Sequence, residues 1–155
     1  MEARWPPADD LGETVMPQGV YYCVGNDDVR IHFPNPKAKL PVKTKGGIVL
    51  LPWGRRKTQA GYLPLGGWAH LDSIYAGRWD KWFPVPVKLV VKSFMERDVE
   101  GHPRWHDLTK GKYLQGLAAR YKHERRVYIV TIEPELIDTQ YEHWPRIITQ
   151  AETFY

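Results

Sequence analysis

Cysteine is almost missing from this 155-residue chain: Cys23 stands alone, so no internal disulfide can form and a disulfide scaffold is excluded. A structural zinc site would need more ligands than His102-Pro103-Arg104-Trp105-His106 supplies, and Pro103 predicts a turn there, so no metal is expected. Neither Gly46-Gly47 nor Gly66-Gly67 is followed by Lys-Ser or Lys-Thr, which removes the phosphate-loop class; no cofactor is expected. No apolar run approaches the ~20 residues that span a bilayer. The opening residues Met1 to Pro7 lack the basic start and apolar stretch of a secretory signal. The expectation is a cytoplasmic, monomeric protein with one core, away from membranes, its thiol kept reduced.

Acid is also missing where it would matter. Between Asp28 and Asp72 there is none, while Arg30, Lys37, Lys39, Lys43, Lys45, Arg55, Arg56 and Lys57 all fall there. After Ile132 the balance reverses, with Glu133, Glu135, Asp138, Glu142 and Glu152 against Arg146 alone. The net charge of +4 hides this asymmetry. A cationic interval attracts phosphate through Coulomb forces and counterion release. Trp53 and Trp68 lie inside it, and bases stack on such rings in proteins that hold single strands. A solvated basic face with two buried tryptophans is the competing reading.

Residues 1–18 are poor in packing groups and carry Glu2, Asp9, Asp10 and Glu13 against Arg4, which predicts an extension ahead of a domain spanning 19–155. Val20 to Val24 reads as a strand stopped by Gly25-Asn26, and Val29 to Phe33 as a half-buried strand broken by Pro34-Asn35-Pro36. Gly47 to Leu51 is a continuous apolar run, expected as a core strand. A loop-rich stretch covers Pro52 to Gly67. The spacing of Leu71, Ile74, Tyr75 and Trp79 predicts a short helix within His70 to Trp82. Val85 to Glu96 is the longest strand candidate, followed by Tyr113 to Ala119 and Val127 to Ile132. A helix is expected from Pro134 through Leu136 to His143. Strands dominate without βαβ alternation, so the fold class expected is α+β, a single domain around a curved, barrel-like mixed or antiparallel sheet with a few short helices.

A lone cysteine is as a rule a small buried hydrophobe. A nucleophilic one needs a base and an orienting group from distant sequence, and no local spacing selects them here. The succession of landmarks, however, resembles the SOS-response-associated peptidase family from about Cys23 to Ile148. Pro36-Lys37-Ala38-Lys39-Leu40-Pro41-Val42 is similar to the family's Ala-Pro-Thr-Gln element leading to Pro-Val. Leu51-Pro52-Trp53-Gly54-Arg55 resembles its Trp-Gly-Leu-Ile-Pro loop, and Tyr75-Ala76-Gly77-Arg78 its Asn-Ala-Arg-Ala-Glu segment. Val90 to Glu96 resembles the strand ending in Gly-Phe-Tyr-Glu-Trp, Leu114 to Ala118 the Ala-Gly-Leu-Trp strand, and Tyr128 to Thr131 the Thr-containing strand. His143-Trp144-Pro145-Arg146-Ile147 resembles the His-Asp-Arg-Met-Pro motif.

The resemblance implies a partner and a chemistry. The partner is single-stranded DNA carrying abasic sites; the chemistry is covalent trapping by an N-terminal cysteine, with autopeptidase activity. Cys23, Glu96 and His143 would be the reacting groups, the last two in proton transfer. Trp53, Gly54, Arg55, Arg56, Arg78, Arg146 and Trp68 would hold the strand, and Pro36, Tyr75 and Thr131 would line the pocket. In the family the cysteine becomes the first residue, whereas 22 residues precede Cys23. Three expectations follow: self-cleavage before Cys23, DNA binding without crosslinking, or an interaction module whose thiol is merely buried.

Overall fold

The computed structural model describes residues 18–133 and 144–150. The chain there is mostly strand. β1 (Gly19–Val24) and β2 (Asp27–His32) form a hairpin through Gly25-Asn26, with Val24 opposite Asp27. β3 (Lys39–Thr44) and β4 (Gly47–Pro52) form a second hairpin. Its tight turn is held by the Thr44 hydroxyl, which donates to the Gly47 carbonyl at 2.7 Å and accepts from the Gly46 amide. After the short β5 (Trp68–His70) come α1 (Leu71–Tyr75) and a 3-10 turn at Asp80–Trp82. β6 (Val85–Leu89), β7 (Ser93–Arg97) and β8 (Pro103–Asp107) precede the long pair β9 (Lys112–Tyr121) and β10 (Glu124–Ile132). β11 (Trp144–Pro145) and β12 (Ile147–Thr149) close the described chain.

These strands make two sheets. One has four strands in the order β2-β1-β7-β8; the other runs β11-β10-β9-β6-β3-β4, with β12 added to β9 and β5 parallel to β10. Val20, Tyr22 and Phe94 of the first sheet share one core with Leu40, Val42, Leu89, Leu114, Val127 and Ile129 of the second. Burying that many large side chains, at ~1.5–3 kcal/mol each, is the main source of stability. The far face of the larger sheet packs Leu117, Tyr128 and Val130 under Leu63, Ile74 and Trp79 of the loop and helix. The single curved, barrel-like sheet is thus corrected to two packed open sheets. No helix among the described residues is long and apolar enough to cross a membrane.

Several expected elements change. Gly47 to Leu51 does form a strand, but β4 is an edge, and Ile48, Val49 and Leu50 stand about two-fifths exposed (43%, 45% and 39%). An apolar run reveals strand propensity but not which strand ends the sheet. Val85 to Glu96 is two strands in different sheets, bent at Val90–Lys92, where Val90 donates to the Pro41 carbonyl and Lys92 to that of Tyr21. The helix expected over His70 to Trp82 shrinks to five residues, stopped at Ala76-Gly77. Pro103 opens β8 instead of making a turn, which an edge strand tolerates because its outward N–H needs no partner. Gln18 belongs to the domain, not to the extension. Its amide donates to the Met95 carbonyl, its own carbonyl accepts from Phe33, and its Oε1 accepts from Arg97. The helix expected over Pro134 to His143 lies outside the described residues.

Candidate nucleic-acid interface

Strand alternation gives the four-stranded sheet two faces. Val20, Tyr22, Phe94 and Glu96 point inward to the core. Tyr21 and Cys23 of β1, Arg30 of β2 and Trp105 of β8 point outward. The register sets Tyr21 opposite Arg30, and the Arg30 guanidinium lies 5.0 Å from both the Tyr21 and the Trp105 ring centroids. His32 meets Trp105 edge-on at 6.1 Å, and its ring lies over Gly19, where a Cβ would come within 3.0 Å of it. Gly19 is therefore a close-approach position that lets the imidazole cross the sheet. Burial, and then the charges of Arg97 and Arg30, hold His32 below the usual histidine range. Trp105 keeps 39% of its surface exposed. The result is an exposed layer of rings with cations between them.

That layer continues into a cleft of about 630 Å³ lined by Tyr21, Lys92, Lys110, Lys112 and Tyr113. Lys43 approaches the Tyr113 ring at 5.8 Å. Asp107 is the acidic residue in the lining.

Cys23 lies in the outward row. Its thiol donates to Asp28 Oδ1 at 2.9 Å and sits 3.9 Å from the Tyr21 hydroxyl. The contact with Cys23, then that with Tyr21, holds Asp28 below the usual carboxylate range, which makes it a hydrogen-bond acceptor and a poor base. Cys23 and Asp28 together hold the Tyr21 phenol up to about 12. Glu96 is in the opposite situation. It is fully buried, Oε1 accepts from the Arg97 amide at 3.1 Å, and Oε2 has no partner. Burial pushes its carboxyl up to about 9, so it is neutral and protonated at physiological pH. Cys23 and Glu96 thus project from opposite faces of one sheet and are not brought together. His143 lies outside the described residues.

The tryptophans and arginines expected to hold DNA are in large part structural. Trp53 is 0% exposed and donates from Nε1 to the Gly67 carbonyl at 3.0 Å. Trp68 is buried beside Phe33, 4.7 Å away. Neither ring can receive a base. Gly54 has φ 55, and a Cβ there would meet the Gly66 carbonyl oxygen at 2.1 Å; it permits the 54–66 backbone approach and does not face solvent. Arg56 lies 3.9 Å over the Phe33 ring and donates to the carbonyls of Phe33 and Trp53, and burial lowers its pKa to about 10. Arg55 donates to the carbonyls of Leu63 and Gln59. Apart from the one to Phe33, these bonds satisfy carbonyls of the irregular 53–67 loop, whose backbone pairs with itself at the Arg55–Gly66 bridge. Arg146 is bonded to Gln115 Oε1. Arg78 is exposed after α1 and could reach a ligand. Thr131 is buried beside His70 Nδ1 at 3.4 Å, Tyr75 is exposed, and Pro36 sits on a loop where its carbonyl accepts from Gln59. The three occupy different settings.

His102 and His106 diverge: His106 stacks on Phe94 at 5.3 Å, while His102 groups with Asp98 and Glu100. Asp98 already accepts from the amides of Glu100 and His102 and from Arg104 Nε at 2.8 Å, so this trio is a neutralised turn. No family model, no curated protein and no solved structure matches the chain.

Trp105, Tyr21 and Tyr113 line this outer face and its cleft without belonging to any motif in the sequence. Arg30 carries a local signal, because it alternates with Val29 and Ile31 and so falls on the outer side of β2; Trp105, flanked by Arg104 and His106, carries none.

Proposed function

We propose that the protein is a single-stranded-DNA-associated domain that binds through the outer face of its four-stranded sheet. The observation that carries this is the Arg30 guanidinium held 5.0 Å from the Tyr21 and Trp105 rings on an exposed sheet, leading into a lysine-lined cleft. Exposed rings accept unstacked bases whatever their identity, and interleaved cations neutralise the phosphates between them. The expected resemblance to the SOS-response-associated peptidases supplies the same class of partner. The geometry supports the binding half of that expectation more than the covalent half, because the Cys23 thiol faces away from Glu96.

Fluorescence anisotropy with a labelled oligo-dT tests the reading. Affinity should fall steeply with salt, with a log–log slope of about −0.7 per phosphate neutralised. Trp105→Ala should weaken binding by about 1–3 kcal/mol, the usual worth of one stacked base. Binding without salt dependence, or an unaltered Trp105→Ala variant, would defeat it.

A further inference from the structure

A second concave site lies at the open end of the main core, between β4, β6, β9 and β10, and shares no residue with the outer face. Its floor is apolar: Leu51 of β4, Val85 of β6 and Ala118 of β9, the last two directly opposite each other. Two residues beyond Ala118, Arg120 faces Arg125 of β10 across the ladder. Like charges set directly opposite each other oppose strand pairing. Neither arginine has an ion-pair partner among the described residues, whereas Arg126 next door is paired with Glu124 at 2.7 Å. A cation pair without an ion-pair partner among the described residues, at the rim of an apolar hollow, is suited to an anion.

The wall is Phe83, and its backbone is the unusual part. It follows the 3-10 turn with φ 52, ψ 57, a left-handed conformation that bulky residues rarely adopt and glycine takes freely. Its ring is 56% exposed, with the Arg120 guanidinium 4.6 Å from the centroid. The left-handed backbone closes the 3-10 turn, its amide donating to the Asp80 carbonyl, yet the position carries a bulky exposed ring where glycine is the usual choice, and such costly choices concentrate at ligand clamps. The hollow measures about 220 Å³, below the size of pockets for drug-sized ligands and suited to a single ring system.

We infer that this pocket binds one nucleotide, its base against Phe83 and the apolar floor, its phosphate between Arg120 and Arg125. The inference goes beyond the outer-face reading and does not depend on it. Two sources share this chemistry, a free mononucleotide and the phosphorylated end of a strand.

The test is an amide chemical-shift titration of the full chain with dAMP, adenosine and inorganic phosphate. dAMP should shift Phe83, Ala118 and Arg120, with adenosine and phosphate each at least about tenfold weaker. Phe83→Gly removes the ring and relieves the backbone together. It should melt no lower than the parent while losing dAMP affinity at least about tenfold, so lost binding cannot be ascribed to unfolding. Arg30→Ala should bind dAMP normally, which separates this site from the outer face. A 5′-phosphorylated oligo-dT that shifts the same amides, where the 5′-hydroxyl form does not, identifies the strand end as the source. Response to dAMP alone identifies the free nucleotide. Shifts confined to other residues, equal affinity for adenosine, or unchanged binding by Phe83→Gly would each overturn the proposal.

Discussion

Arg56 and Arg30 make the same kind of contact and lead opposite lives. Both guanidiniums lie over aromatic rings, Arg56 at 3.9 Å from Phe33 and Arg30 at 5.0 Å from Tyr21 and Trp105. Arg56 is buried and its donors serve backbone carbonyls, that of Trp53 in its own loop and that of Phe33 beyond β2; Arg30 is exposed between strands. Composition treats the two as equal members of one cationic interval. The difference comes from setting: an irregular loop needs donors for its backbone, whereas a sheet satisfies its own and leaves its outward side chains free for a partner.

The largest effect that would sharpen this comparison belongs to the buried side. Trp53→Ala should lower unfolding free energy by about 3–5 kcal/mol, measured by urea titration, while the folded fraction still binds oligo-dT as before. A selective loss of binding with stability intact would break the division between the two regions.

Next comes Glu96. Its folded pKa of about 9 lies above the ordinary 4.5, so the folded protein keeps a proton that the unfolded chain releases. Its contribution is full below about pH 4.5 and is lost as pH rises through about 9. Glu96→Gln should flatten the pH dependence of stability, by up to about 4 kcal/mol between pH 5 and pH 8, in melts recorded across that window. A parallel profile for parent and variant would show that burial does not hold the proton.

Smaller still is the expectation for Arg30→Ala: roughly tenfold weaker oligo-dT binding, a shallower salt slope, and stability within about 1 kcal/mol of the parent. Cys23→Ala should do least. Its outward thiol bonds only at the surface, so binding should be unchanged and stability within about 0.5 kcal/mol. A Cys23→Ala protein that no longer captured DNA would restore the thiol to the centre of the mechanism.

Much of the fold was legible in the chain. Val20 to Val24, Tyr113 to Ala119 and Val127 to Ile132 all lie within strands; in the first and the last, β-branched and aromatic residues carry that information locally. What was not legible is long-range. Nothing in Gly47 to Leu51 says that it ends a sheet, and nothing between Val85 and Glu96 marks the crossing from one sheet to the other. For the site, Trp53 and Trp68 were read from a charge interval, but their burial depends on Phe33, which packs against both. The latch that holds their loop was also hidden: Arg126 donates to the Gly54 carbonyl, and Glu124 accepts from the amides of Tyr62 and Leu63, about sixty residues away in sequence. Trp105 was visible as a letter, but its neighbour Arg30 is supplied only by strand order.

The bend at Val90–Lys92 has a thermodynamic consequence. A single run of chain is a member of both sheets, bonded to Pro41 on one side and Tyr21 on the other within three residues. Neither sheet can come apart without pulling on the other. The domain should therefore melt in one transition, and its slowest-exchanging amides should be shared between the two sheets.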